Sequence, residues 1–255
     1  MSVLFETQGH TAVITLNRPE ARNAVNADIA QGIEDAIDKL EADENLWTGV
    51  LTHTGSVFCA GADLKIIAAG RNAEMITKRG GFAGLVLRER TKPLIAAIDG
   101  PTFAGGTEIM LACDLRVASN AAQFGLMEVK RGLVAAAGGL HRLPRALPQA
   151  IAMEIALTGE PISAERAHEH GLVNELVEDG QALEAALALA ERLNANSPLA
   201  VRASRQLILA AHTYETDRDA MRAAFGEMQK LSETEDFAEG PRAFIEKRDP
   251  QWKGR

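Results

Sequence analysis

Two glutamates and the small residues around them carry the chemistry open to this chain. Gly105-Gly106-Thr107-Glu108 follows a short apolar run, residues 95–98, bounded by Pro93 and Gly100, and leads into a second apolar run ending at Ala112. That order reads as a buried strand, a glycine turn and a helix over residues 108–113. The glycines let the backbone turn tightly. The first N–H groups of the helix have no acceptor within it and are free to hold an oxyanion. Glu108 falls in the first helical turn, placed like a base, and the positive helix end favours its ionised form. Twenty residues on, Gln123-Phe124-Gly125-Leu126-Met127-Glu128 supplies a second carboxylate and opens a stretch that ends Ala137-Gly138-Gly139. Two carboxylates on adjacent turns can serve one substrate as acid and base. A glutamate in a first helical turn is also explained by the dipole alone, so the motif takes its meaning from its neighbours.

One such neighbour is Gly55-Ser56-Val57-Phe58-Cys59-Ala60-Gly61-Ala62-Asp63-Leu64-Lys65. Ala60, Gly61 and Ala62 leave the backbone uncovered, as main-chain donors to a ligand require, although a tight strand-to-helix turn has the same composition.

The elements that must position these residues follow from periodicity. Residues 3–7 and 11–16 are β-like runs around Gly9-His10 and predict a hairpin, broken afterwards by Asn17-Arg18-Pro19. Ile29, Ile33, Ala36, Ile37 and Leu40 recur at helical spacing in residues 28–42, and a strand over 48–52 follows. Residues 66–92, with Gly70, Gly80, Gly81 and Gly84, read as helix with flexible points, a surface helix or a wall over an apolar pocket. Further on come a helix near 149–157, a helix capped by Ser163, a strand over 172–177, and helices over 181–195, 199–211 and 214–231. The change of character near residue 195 divides a mixed core, 1–195, from a helical C-terminal segment, 196–255.

Composition narrows the function. A chain of 255 residues that is 46% hydrophobic and 24% charged is an ordinary globular protein, and with 4% aromatics its core must be mainly aliphatic. A net charge of −8, from 35 acidic and 27 basic residues, repels nucleic acid and anionic membranes. Cys59 and Cys113 have no paired spacing and read as reduced core thiols; the six His are scattered, so no metal site is expected. No apolar run approaches a membrane span and no leader pattern opens the chain, which makes the cytoplasm the expected compartment.

Taken in order, Asn17-Arg18-Pro19, Phe58-Cys59-Ala60-Gly61-Ala62-Asp63-Leu64, Gly105-Gly106-Thr107-Glu108, Phe124-Gly125-Leu126-Met127-Glu128 and Phe244-Ile245-Glu246-Lys247-Arg248 resemble the crotonase, or enoyl-CoA hydratase, superfamily, over about residues 3–253. The resemblance implies an α/β fold, a spiral of ββα units with a helical C-terminal trimerisation segment, assembled as a trimer or a dimer of trimers. It implies a coenzyme A thioester as substrate, with no separate cofactor. Carried onto this chain, the N–H groups of Ala62 and Gly105 form an oxyanion hole, and Ala60, Ala62, Asp63, Leu64 and Lys65 line the thioester and coenzyme. Phe244 and Lys247 would reach a neighbouring subunit's coenzyme; Arg22 is a weaker phosphate candidate than a plain surface residue. Glu108 and Glu128 fall on the two glutamates of a hydratase, Glu108 for the water and Glu128, raised by burial and its neighbour's charge, for the α-carbon. Met127 stands where the family usually has proline, and Val134-Ala135-Ala136-Ala137-Gly138-Gly139 replaces a proline-glycine stretch, so that Ala136 lies where a glycine often contacts the water. Lys130 and Arg131 add charge just after Glu128.

The expected activity is thus hydration of a trans-2-enoyl-CoA to a 3-hydroxyacyl-CoA, in fatty acid or related acyl-CoA degradation. The alternatives are isomerisation, or dehydration of a specialised acyl-CoA such as a carnitinyl or sterol side-chain thioester. A non-catalytic binding role, RNA binding included, is disfavoured by the charge and by the lack of a basic patch with interleaved aromatics. No GxGxxG or GxSxG is present to suggest a dehydrogenase or a serine hydrolase.

Overall fold

A computed structural model describes residues 1–255. The N-terminal runs pair antiparallel as β1 (Val3–Gln8) and β2 (Thr11–Leu16), with Val3 opposite Leu16. Helix α1 (Ala27–Ala42) starts where the Asn26 side chain accepts from the Ile29 N–H, and it buries its stripe of Ile29, Ile33, Ile37 and Leu40 completely. The chain continues through β3 (Thr48–His53), α2 (Leu64–Ala68), β4 (Ile76–Thr77), β5 (Gly81–Phe82), β6 (Leu94–Ile98), β7 (Thr102–Phe103), α3 (Gly105–Ala112), β8 (Leu115–Ser119) and β9 (Gln123–Gly125). It ends with α4 (Gly139–Ala146), α5 (Gln149–Thr158), β10 (Ile162–Ser163), α6 (Ala164–Glu169), β11 (Glu175–Val177), α7 (Ala182–Asn194), α8 (Pro198–Ala210), α9 (Asp217–Leu231) and α10 (Glu235–Glu246).

The main sheet has the order β1-β2-β3-β6-β8-β11 and is parallel from β2 onward. Every residue of β6 is buried, because the sheet is covered on both faces. Ala182, Ala186 and Ala190 of α7 lie against Val50, Ile95 and Val117, and their small side chains let the helix come close. The large cluster around α1, α3 and α5 holds the rest of the core.

A smaller sheet, β10-β9-β7, gains a further rung where Cys59 bridges to Thr102. Each turn of the chain therefore gives a strand to the main sheet, a strand or bridge to the small sheet, and then a helix. The units are β3 with Cys59 and α2, β6 with β7 and α3, and β8 with β9 and the turn Glu128–Arg131. This is the expected spiral, and it sets the segments that follow Cys59, β7 and β9 beside one another.

Residues 66–92 depart from the helical expectation. Only α2 is α-helical; beyond it come a 3-10 turn, Asn72–Met75, and the β4–β5 hairpin. Gly70, Gly81 and Gly84 all take positive φ, which ends a helix wherever it occurs. The buried Glu34 carboxylate of α1 ties this hairpin down by accepting from the Thr77 hydroxyl and the Gly80 N–H. The strand expected over 172–177 shortens to β11, and α4 forms despite Pro144, near its end.

The last three helices bury little of themselves. No residue of α9 is buried, while Ile208, Leu209, Met221, Phe225 and Met228 are all more than half exposed. Arg205 anchors α8 by an ion pair to Asp114 at 2.9 Å and a hydrogen bond to the Arg90 carbonyl at 2.6 Å. No helix is long and apolar enough to cross a membrane.

One buried side chain joins the loops that enter the small sheet. Asn23, fully buried at φ 52°, accepts from the Arg18 N–H at 2.8 Å and donates to the carbonyls of Thr54 and Val57 at 2.9 and 2.8 Å. Asn23→Ala leaves these three backbone groups without partners and should cost about 2–4 kcal/mol of stability, read as a lower urea midpoint with an unchanged slope.

Candidate active site

The site begins where two backbone segments touch. Cys59 accepts from the Phe103 N–H at 3.0 Å and Pro101 from the Phe58 N–H at 3.1 Å, so residues 58–62 run along β7. Gly61 has φ 93°, and a Cβ on it would stand 2.9 Å from both the Gly105 nitrogen and the Ala104 Cβ. A Cβ on Gly106 would fall 2.2 Å from the Cys59 carbonyl oxygen. Only glycine fits at either place. The flanking groups of Ala62 are spent on Val25, which donates to the Gly61 carbonyl and accepts from the Asp63 N–H, whereas no protein group accepts from the Ala62 N–H. Gly105 opens α3, so its N–H likewise has no acceptor within the helix. Ala104 before it sits at φ 51°, a position costly for a residue with a side chain, fixed by its N–H to the Gly125 carbonyl at 2.8 Å.

Glu108 lies on α3 after β7, and Glu128 on the turn after β9, the parallel neighbour of β7. Thr107 locks the two together. Its hydroxyl is 2.7 Å from the Thr102 carbonyl and 2.9 Å from the Gly125 carbonyl, and it accepts from the Gly125 N–H at 3.3 Å. Glu108 is only 3% exposed, and its Oε1 accepts from the Gly139 N–H at 2.9 Å. Burial pushes its carboxyl from 4.5 up to about 7; the Gly139 N–H opposes this, and the charge of Glu128 adds to it. Desolvation thus outweighs the preference for the ionised form expected from the helix end, and Glu108 titrates near neutrality. Burial also raises Glu128, against its own backbone N–H and the charge of Arg131, and its Oε2 is buried with no hydrogen-bond partner. The like charge expected to raise Glu128 makes itself felt at Glu108 instead.

The remaining sequence candidates spread over two places. Ala60, Ala62 and Asp63 are half-buried beside the touching segments, with Leu64 and Lys65 exposed at the head of α2. The Asp63 carboxylate is held by Arg18 at 2.9 Å and caps α2 by accepting from the Lys65 N–H at 3.0 Å, so it orders the loop. Phe244, 85% exposed, and Lys247 lie at the end of α10, outside this cluster. Ala136 is exposed, and the backbone contact to Glu108 comes from Gly139. Thr107 and Arg18 stand inside motifs of the sequence without a role that it announces, and Asn23 stands outside them; a lone Thr in an apolar helix is the one local signal. No group of three His, Cys, Asp or Glu side chains is placed to hold a metal ion. A hollow of about 470 Å³ between β1 and α1 shares no residue with the site.

A spiral of ββα units bearing one buried and one half-buried carboxylate beside two unclaimed amides defines a crotonase-type enzyme, and comparison with known proteins agrees. The family model for enoyl-CoA hydratase/isomerase matches residues 6–255, and the chain belongs to that family. It is 40% identical to an enoyl-CoA hydratase of Mycobacterium tuberculosis, over 99% of this chain and 96% of the relative. It is 36% identical to a carnitinyl-CoA dehydratase of Proteus mirabilis, over 100% of this chain and 99% of the relative. A crystal structure of an enoyl-CoA hydratase from Mycobacterium tuberculosis superimposes with a TM-score of 0.95 at 48% identity, covering 100% of this chain and 99% of that one.

Between pH 4.5 and about 7 the folded chain keeps on Glu108 a proton that the unfolded chain has released, so this residue's contribution to stability falls as pH rises through that window. Glu108→Gln retains the acceptor for Gly139 and removes the buried charge. It should be more stable than the natural chain at pH 8 by up to about 3 kcal/mol, with the difference gone near pH 4, as measured by thermal melts across pH.

Proposed function

We propose that this enzyme reversibly adds water to a trans-2-enoyl-CoA, giving a 3-hydroxyacyl-CoA. The observation that carries the reading is the pairing of Glu108 and Glu128, both raised by burial, beside the free amides of Ala62 and Gly105. The two N–H groups take the thioester oxygen, which makes the β-carbon electrophilic and holds the enolate charge that follows attack. Glu108, fixed by Gly139, orients the water and removes its proton as the oxygen bonds to the β-carbon. Glu128 gives the α-carbon its proton from the buried Oε2 side. One proton ends on Glu108 and one leaves Glu128, so the pair keeps its proton count and is reset when a proton passes from Glu108 back to Glu128, directly or through water. The reaction asks for no group beyond the coenzyme A of its substrate.

The same pair run in reverse dehydrates a hydroxyacyl-CoA, and the full-length likeness to a carnitinyl-CoA dehydratase favours this as the second reading. Ala60, Asp63, Leu64 and Lys65 would flank the thioester and coenzyme. The apolar faces of α8–α10 would be covered by further copies of the chain in a trimer or a pair of trimers, with Phe244 and Lys247 reaching a neighbour's coenzyme. Two unpaired, buried thiols suit a reducing cytoplasm.

Adding the enzyme to trans-2-enoyl-CoA should bleach the conjugated thioester's ultraviolet absorbance and give a product heavier by one water; flat traces with folded protein across acyl sizes would refute hydration. Glu108→Gln and Glu128→Gln should each lower kcat by ~10²–10⁴-fold without loss of fold. Because Glu108 must be ionised while Glu128 is protonated, kcat/KM against pH should be a bell with one limb near 7, where Glu108 titrates, and with the pair carrying a single proton at its top. Activity still climbing at pH 9 would count against these roles.

A further inference from the structure

Arg142, in the first turn of α4, is half-buried and forms no salt bridge. Its Nη2 donates to the Val86 carbonyl at 2.6 Å, and its Nη1 lies 3.4 Å from the Ala137 carbonyl. Between these contacts the guanidinium lies on Gly138: a Cβ there, at φ 109°, would come within 1.8 Å of Nη1 and 3.0 Å of Cζ. Gly138 is glycine because of its backbone conformation, and the guanidinium rests in the space that a side chain would take. The next residue, Gly139, donates to Glu108 at 2.9 Å and sits so close that a Cβ on it would be 3.2 Å from the Glu108 Cγ.

We propose that Arg142 is a positioning residue for Glu108: its guanidinium presses the Gly138–Gly139 peptide toward the carboxylate and ties that peptide to the turn around Val86. Resting on the reading of Glu108 as a catalytic group, the inference adds to it a residue that touches neither substrate nor reacting atom. Val86 is buried, and its turn follows the β4–β5 hairpin that Glu34 holds to α1, so the clamp has a rigid support. Arg142 also acts by charge. The groups facing Glu108 are Glu128, the backbone N–H groups of Gly139 and Ala137, and Arg142; those facing Arg142 are Glu108, Arg145, Arg90 and Cys113. Arg90 is itself paired with Asp114, so Glu108 is the one carboxylate among the groups facing Arg142, and the Arg142 charge favours its ionised form.

The test uses the full-length enzyme and the variants Arg142→Gln and Arg142→Lys, with thermal melts as the control for folding. Arg142→Gln should lower kcat at least tenfold with KM within about threefold, and shift the pH bell to higher pH. Arg142→Lys should return the bell to its natural position, because it restores the charge. It should leave kcat low, because an ammonium cannot lie flat on Gly138 while reaching Val86. Carboxyl carbon NMR of glutamate-labelled protein, with Glu108 assigned by its loss in Glu108→Gln, gives a readout that needs no turnover: the Glu108 titration should move up in Arg142→Gln and back in Arg142→Lys. Natural kcat and an unmoved titration in folded Arg142→Gln would overturn the proposal. Should that chain not fold, Arg142→Lys with natural kcat would overturn it alone, and a low kcat with an unmoved bell would support it. Absence of hydratase activity in the natural enzyme would defeat the proposed reaction while the NMR titration still decides the role of Arg142.

Discussion

No side chain separates Gly61 from the amide of Gly105, and the site depends on that contact. It joins two successive units of the spiral, one ending in the loop after β3 and one opening α3 after β7. The rung between Cys59 and Thr102 fixes how far each segment has run when they meet. In the reaction proposed above, amides fixed in this way would not have to reorganise as charge develops on an oxygen between them, which is where backbone donors gain their effect. The strained φ of Ala104 and the buried hydroxyl of Thr107 serve the same end, since each fixes the peptide that opens α3 against the end of β9.

The carboxylates show two electrostatic effects in competition. A helix N-terminus stabilises a negative charge by typically ~0.3–1 kcal/mol, whereas moving a carboxyl from 4.5 to about 7 corresponds to about 3 kcal/mol in the opposite sense. Burial wins, and proton traffic becomes possible near neutrality. The basic residues after Glu128 divide between two tasks. Lys130 pairs with Glu160 on the surface, while the charge of Arg131 falls on Glu128.

Much of this was legible in the sequence because it is local. The stripe of α1, the buried run of β6, the glycine pair before Glu108 and the Ser163 cap each announce themselves within a few residues. The chain of ordered motifs did the same for the spiral. What escaped depends on partners far along the chain. Asp63 looks like a ligand residue until Arg18, 45 positions earlier, is seen to hold it. Asn23 and Arg142 carry no local signal, since the one takes its meaning from Thr54 and Val57 and the other from Val86, 56 positions away. Residues 66–92 were misread for the opposite reason: their helix-compatible side chains were plain, but the left-handed glycines that divide them had more weight.

Cys59 has a consequence outside catalysis. Its thiol is fully buried within the segment that carries Gly61 and Ala62, and burial pushes it up to about 12, so almost none of it is thiolate at neutral pH. An alkylating reagent can reach that sulfur only when the loop lifts from β7. The molecule thus contains a native chemical reporter of any opening, local or global, that lifts this loop from β7.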